Sequence, residues 1–262
     1  MSGASSPYLW LRHKTRRGLR YVTRPVHPLI GSIRRVDTQR AVAALTFDDG
    51  PDEEQTDRIL EVLERKGAKA TFFMLAKQAV RLPEVVRAVQ DGGHEIGLHG
   101  YDHSPVIGIT SMEKVRKMRD GKRRLEDAIG RSVQLFRPPY GWQDLRSFLA
   151  ARSAGLRVIL WSTEADDCVE GVTPEVAAEK AVRLETGGIL LLHDRAEPYP
   201  TRPDERPAAG LDRARMVELI SDRLEGRLSL VSVGTLLRQG APERKPWFWQ
   251  PVGAEAVELL GR

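Results

Sequence analysis

Two hydrophobic periods alternate along most of the chain. Apolar runs rich in β-branched and aromatic residues at 41–47, 69–75, 95–98, 134–136, 157–160, 189–192 and 229–233 read as strands. Between them, apolar residues recur at helical spacing over 56–66, 83–91, 111–128, 145–154, 174–186 and 211–224. Thr173-Pro174 is a helix start, an N-cap followed by proline at the first helical position. Gly67 and Gly155 stand where helices stop. About seven strand–helix alternations in 262 residues predict one α/β unit built on a parallel sheet, closed as a barrel or doubly wound.

Charge divides the chain where hydropathy does not. The net charge is +5, yet residues 1–36 hold eight of the 41 Arg and Lys and no acid. The rest therefore carries 33 basic against 36 acidic residues, a balance of about −3. The basic character belongs to an N-terminal arm, residues 1–37. Tyr8, Leu9, Trp10, Leu11, Leu19 and Val22 in that arm could anchor shallowly in an anionic membrane surface, or the arm could pack on the body. Thr15-Arg16-Arg17-Gly18-Leu19-Arg20 has the look of a twin-arginine signal, but Arg24, Pro25, His27 and Pro28 interrupt the apolar stretch such a signal needs. No cleaved signal and no membrane span are expected, and hence a cytoplasmic location with or without peripheral membrane contact. No nucleic-acid reader motif is present, so no nucleic-acid partner is expected. Cys168 is the single cysteine, which excludes an internal disulfide and reads as a small, partly buried side chain.

The chemistry concentrates at strand ends. Run 41–47 leads into Thr46-Phe47-Asp48-Asp49-Gly50-Pro51, and adjacent carboxylates there repel unless a cation neutralises one while the other handles protons. His99 and His103 stand four apart, so one helical turn would aim both imidazoles the same way. One carboxylate oxygen and two imidazole nitrogens make a three-ligand site with open positions, as catalytic zinc uses. Three further segments agree: Phe136-Arg137-Pro138-Pro139-Tyr140-Gly141, Trp161-Ser162-Thr163-Glu164-Ala165-Asp166-Asp167, and the apolar run 188–192 ending in His193-Asp194.

With these five motifs in order, the chain resembles the polysaccharide deacetylases of carbohydrate esterase family four, the NodB-like metal-dependent amide hydrolases. The resemblance covers roughly residues 38–240 and leaves 241–262 as a tail packing on that domain. It implies a distorted (β/α) barrel of about seven strands. It also implies that Asp49, His99 and His103 hold a divalent metal, Zn2+ by ligand type with Co2+, Ni2+ or Mn2+ as alternatives. Asp48 would be the general base, and Arg137 would pair with it. The Tyr140 backbone N–H would stabilise the oxyanion. His193 would protonate the departing amine, with Asp167 favouring its imidazolium form. His94 reads as structural.

Three positions depart from the family pattern. Gly100 replaces the usual Ser or Thr after the first metal histidine. The fourth motif reads Glu164, Asp167 and Cys168, with Asp166 as a one-residue alternative to Asp167, and Cys168 in place of an aromatic wall would reshape the acyl pocket. The implied substrate is an N-acetylated amino sugar, as oligo- or polysaccharide or linked to a lipid, nucleotide or metabolite. A deformylase, a non-sugar amide hydrolase and an inactive carbohydrate-binding relic are the alternatives.

Overall fold

The computed structural model describes residues 31–197, 208 and 210–246. Residues 1–30 of the basic arm, residues 198–207 and 209, and the tail from residue 247 lie outside the described residues.

The strands are β1 (Ser32–Asp37), β2 (Val42–Asp48), β3 (Ala70–Met74), β4 (Glu95–Leu98), β5 (Leu135–Phe136), β6 (Arg157–Val158), β7 (Thr163–Glu164), β8 (Ile189–His193), β9 (Ser229–Val231) and β10 (Ala241–Lys245). The helices are α1 (Gln55–Arg65), α2 (Ala76–Arg81), α3 (Pro83–Asp91), α4 (Ser111–Ile129), α5 (Leu145–Ser153), α6 (Pro174–Ala181), α7 (Arg213–Leu224) and α8 (Val233–Leu236).

Seven strands run parallel in the order β6-β5-β4-β3-β2-β8-β7, and β9 pairs in parallel with the first half of β2. The sheet curls into an incomplete, distorted barrel. β1 spans the gap between its two edges. It bridges β6 through Ile33 and Ile159, and Val36 N–H donates to Gly187 O at 2.7 Å. Gly187 has φ +74°, and a Cβ there would sit 1.9 Å from Val36 O, so only glycine permits this approach. β10 then pairs antiparallel with β1, which ties the start of the tail to the body.

Strand alternation sorts side chains between two cores. Ala43, Leu45 and Phe47 of β2, Ala70, Phe72 and Met74 of β3, and Leu190 and Leu192 of β8 join the outer core beneath the helices. Ala44, Phe73, Leu135, Ile159 and Ile189 fill the barrel interior. Thr46 and Asp48 share Ala44's parity, and His193 shares that of Ile189. Chemistry-bearing residues thus project from the inner face at the C-terminal strand ends, where parallel barrels build their sites.

Local signals explain the helix limits. Thr173 Oγ1 accepts from Val176 N–H, with Pro174 at the first helical position. Thr110 and Glu113 form a reciprocal capping box on α4. Gly67 and Gly155 take left-handed φ just past α1 and α5. The interval from His99 to His103 corrects one expectation: no helix forms there. It is an irregular loop in which Gly100 (φ +99°) and His103 (φ 62°) turn the chain, so the two rings converge by loop geometry. None of the helices among the described residues is long and apolar enough to cross a membrane.

Candidate functional site

The inner face and its loops bring Asp49, His99 and His103 together, all buried, with one candidate ligand atom from each inside a 4.8 Å cluster. Asp49 Oδ1 lies 3.2 Å from His99 Nε2 and 3.1 Å from His103 Nε2. The other oxygen, Oδ2, accepts the Glu197 N–H at 3.0 Å, so Asp49 offers a single oxygen to the cluster. His99 Nδ1 donates to Arg137 O at 2.8 Å, which turns the Nε2 lone pair of the neutral ring toward Asp49. Three electron-rich atoms then face one another in a buried space.

Charge states in the metal-free chain express that crowding. Burial opposes ionisation of Asp49, but His103 and His99 hold its carboxyl well below the usual carboxylate range. Burial pushes His103 down to about 4, so its ring is neutral. Burial likewise disfavours protonated His99, but Asp48 and Asp49 outweigh it and raise the imidazole. Asp49 Oδ1 and His103 Nδ1 are buried without a hydrogen-bond partner. The residues therefore fit a divalent cation, with the donor set zinc favours.

Asp48 stands at the end of β2, opposite His193 in the β2–β8 register. Arg137, fully buried, donates from Nη1 to Asp48 Oδ1 (2.7 Å) and to Thr46 Oγ1 (2.8 Å), and from Nη2 to Leu160 O (3.3 Å). Its guanidinium carbon lies 4.2 Å from the Phe73 ring centroid. Burial lowers the Arg137 pKa, and Asp48 works against that shift. Asp48 Oδ2 remains on the cluster side, 3.8 Å from His99 Nε2.

His193 Nδ1 donates to Asp167 Oδ1 at 2.9 Å, since a carboxylate can only accept. Burial depresses the His193 imidazole, but Asp167, then Asp49 and Asp48, more than reverse this and lift it to about 9. Asp166 is not the partner: it takes a positive φ and accepts from Lys180 Nζ at 2.7 Å. Tyr140, at φ 58°, places its ring centroid 4.2 Å from that of His103 and 4.9 Å from that of Trp142, tilted against both. All four non-glycine residues with positive φ among the described residues, Asp49, His103, Tyr140 and Asp166, lie at or beside this cluster. Such strain persists only where the surroundings over-determine it.

Several supports are visible only in three dimensions. Asp194 is buried, accepts from Thr56 Oγ1 at 2.7 Å, and presses against Gly50. Burial raises its carboxyl to about 7. Lys114, 1% exposed, donates to Val106 O (3.0 Å) and Asp144 Oδ2 (2.9 Å), fastening the histidine loop to the start of α5. Arg213 reaches the Asp167–His193 pair from α7. Asp194 follows His193 in an already recognised motif and was open to notice; Lys114 and Arg213 sit among many surface-type basic residues and give no sequence signal. His94 is structural, its Nδ1 accepting Ala70 N–H at 3.2 Å.

A buried Asp/His/His group that could hold a cation, a carboxylate braced by Arg137 and a histidine paired with Asp167 thus converge at one barrel mouth. Residues 35–159 match the polysaccharide deacetylase family model. A peptidoglycan-N-acetylglucosamine deacetylase of Bacillus cereus is 34% identical over 161 residues, covering 61% of this chain and 75% of that protein. A chitooligosaccharide deacetylase of Azorhizobium caulinodans is 30% identical over 171 residues, covering 65% of this chain and 81% of its own. The family 4 carbohydrate esterase of Streptomyces lividans shares the fold, with a TM-score of 0.65 at 23% identity over 80% of this chain and the whole of that one. The chain belongs to the polysaccharide deacetylase family.

Proposed function

We propose that the chain is a divalent-metal-dependent amide hydrolase that removes the N-acetyl group from an amino sugar. The observation that carries this reading is the buried Asp49–His99–His103 cluster lying beside an Asp48 that Arg137 grips at 2.7 Å. The relatives' names, which specify deacetylation of peptidoglycan and of chitooligosaccharides, support the substrate class.

Held by Asp49, His99 and His103, a cation, zinc by donor type, would polarise the amide carbonyl and acidify water at the site. Asp48, with Oδ1 occupied by Arg137, takes the proton of the attacking water on Oδ2. The water oxygen bonds to the carbonyl carbon, and the Tyr140 N–H helps hold the charge that develops on the carbonyl oxygen. The C–N bond then breaks, and His193, oriented through Nδ1 by Asp167, delivers a proton from Nε2 to the amine. Acetate and a free amino sugar are the products. The presence together of Asp48, Asp49, His99, His103, Arg137, Asp167 and His193 argues against an inactive sugar-binding relic. Peripheral contact with an anionic membrane through the basic arm would suit a lipid-linked or wall-proximal substrate.

Acetate release from N-acetylglucosamine oligomers, peptidoglycan, and lipid- and nucleotide-linked N-acetylglucosamine tests this reading, with formate release from N-formyl analogues alongside. Acetate from at least one of these, dependent on added zinc, is expected. Formate alone would replace deacetylation by deformylation.

A further inference from the structure

Arg213 is the first residue of α7, just after the N-cap Asp212, and only 3% of it is exposed. Its Nη1 donates to Asp167 Oδ2 at 3.0 Å and to the backbone oxygen of His193 at 2.7 Å. Asp167 is therefore held at both oxygens. Oδ1 takes the His193 ring at 2.9 Å, and Oδ2 takes the His193 N–H at 2.8 Å together with Arg213. Burying a guanidinium is costly, and surface arginines serve helix packing without that cost. Here one nitrogen serves two acceptors, and both belong to the pair assigned to amine protonation.

We propose that Arg213 is a positioning residue for the protonation step. It locks the Asp167 carboxylate so that Oδ1 keeps hold of His193 Nδ1 and Nε2 stays the ring's proton-donating atom. It touches no reacting atom. Its charge also opposes the rise that burial imposes on the carboxyl of Asp194, the residue just past β8, so one guanidinium acts on two buried carboxyls. Without it, Asp167 would lose its fixed rotamer and a partner for Oδ2. This inference rests on the hydrolase reading above, with His193 as the acid.

The chemistry of the leaving group separates positioning from general damage. Cleaving the amide breaks a C–N bond whose nitrogen must gain a proton, which His193 supplies. Cleaving para-nitrophenyl acetate breaks a C–O bond whose phenolate leaves unprotonated, so His193 is not needed. In the zinc-loaded full chain, Arg213→Met should lower kcat on an N-acetylglucosamine oligomer roughly 10- to 100-fold. KM should stay within about threefold, and kcat on the aryl acetate likewise, if only proton delivery is affected. Arg213→Lys, which keeps the charge and one donor at a time, should restore part of the amide rate. If Arg213→Met does not fold, Arg213→Lys alone carries the same comparison.

An amide-selective loss supports the inference. Equal losses on both substrates, or no loss on the amide, overturn it. Wild-type protein that releases no acetate from the amide would sink the hydrolase reading and this inference with it. Wild-type turnover without a selective loss in the variants would sink the inference alone.

Discussion

Replacing Arg137 by Met removes the cation beside Asp48 while keeping an apolar side chain of similar length against Phe73. Arg137 is fully buried and Asp48 is 2% exposed, so the carboxylate left behind has no water to turn to. Removing one partner of a buried ion pair costs about 3–5 kcal/mol, because the other charge is stranded. The remaining losses are smaller. Thr46 Oγ1 still donates to Leu190 O, and the contact to Leu160 O is long at 3.3 Å, so together they add about 1 kcal/mol at most. With an m-value of about 2 kcal/mol/M, the urea midpoint should fall by roughly 1.5–3 M. That is a large part of a total stability of about 5–15 kcal/mol, so the variant should fold but only marginally. The assay is urea unfolding of metal-stripped protein by circular dichroism, for Arg137→Met, Asp48→Asn and the double variant. The double variant should be more stable than the sum of the singles predicts, by about 2 kcal/mol or more. A coupling below about 0.5 kcal/mol would refute the claim that Arg137 holds Asp48.

Three further outcomes are expected. Zinc at about a hundredfold over its Kd should stabilise the chain by about 2.7 kcal/mol, or roughly 5–10 °C in Tm, and Asp49→Ala or His103→Ala should abolish that shift in a thermal scan. In metal-free protein, His193 is raised from 6.5 to about 9, so its stabilising contribution is complete below pH 6.5 and is lost as pH rises through about 9. The stability advantage of wild type over Asp167→Asn should accordingly shrink between those pH values, and a constant difference would contradict the pairing. Gly50→Ala would place a Cβ 2.1–2.4 Å from the Asp194 carboxylate, so it should cost about 1–3 kcal/mol and weaken zinc binding, with Asp194→Ala relieving the clash.

What could be read in the chain beforehand followed physical lines. Strands β2, β3 and β8 are buried on both faces and stand out as apolar runs, and the residues at the ends of β2 and β8 carry the chemical signal. Strand β1 did not stand out, because Arg34 and Arg35 interrupt its apolar pattern and its role depends on a gap that only the curled sheet creates. Strands β7 and β10 give no sequence signal for related reasons: one is two residues long, and the other is charged and pairs only with β1. The four-residue spacing of His99 and His103 suggested a helix, but Gly100 sits between them, and a loop achieves the same convergence. Asp49, His99, His103, Asp48 and Arg137 were each anticipated, and the structure brings them together, as it does Asp167 and His193. The brace of Arg213 and the bolt of Lys114 arise from tertiary reach across many residues, which no local spacing encodes.

The measurement that bears most directly on the central claim is acetate release from an N-acetylglucosamine oligomer by metal-stripped chain, by the same chain with zinc restored, and by zinc-loaded Asp48→Asn. Release that appears only with zinc, and is lost in Asp48→Asn while zinc binding persists, is the predicted result. Zinc binding with no release from wild type, or undiminished release from Asp48→Asn, would contradict the account.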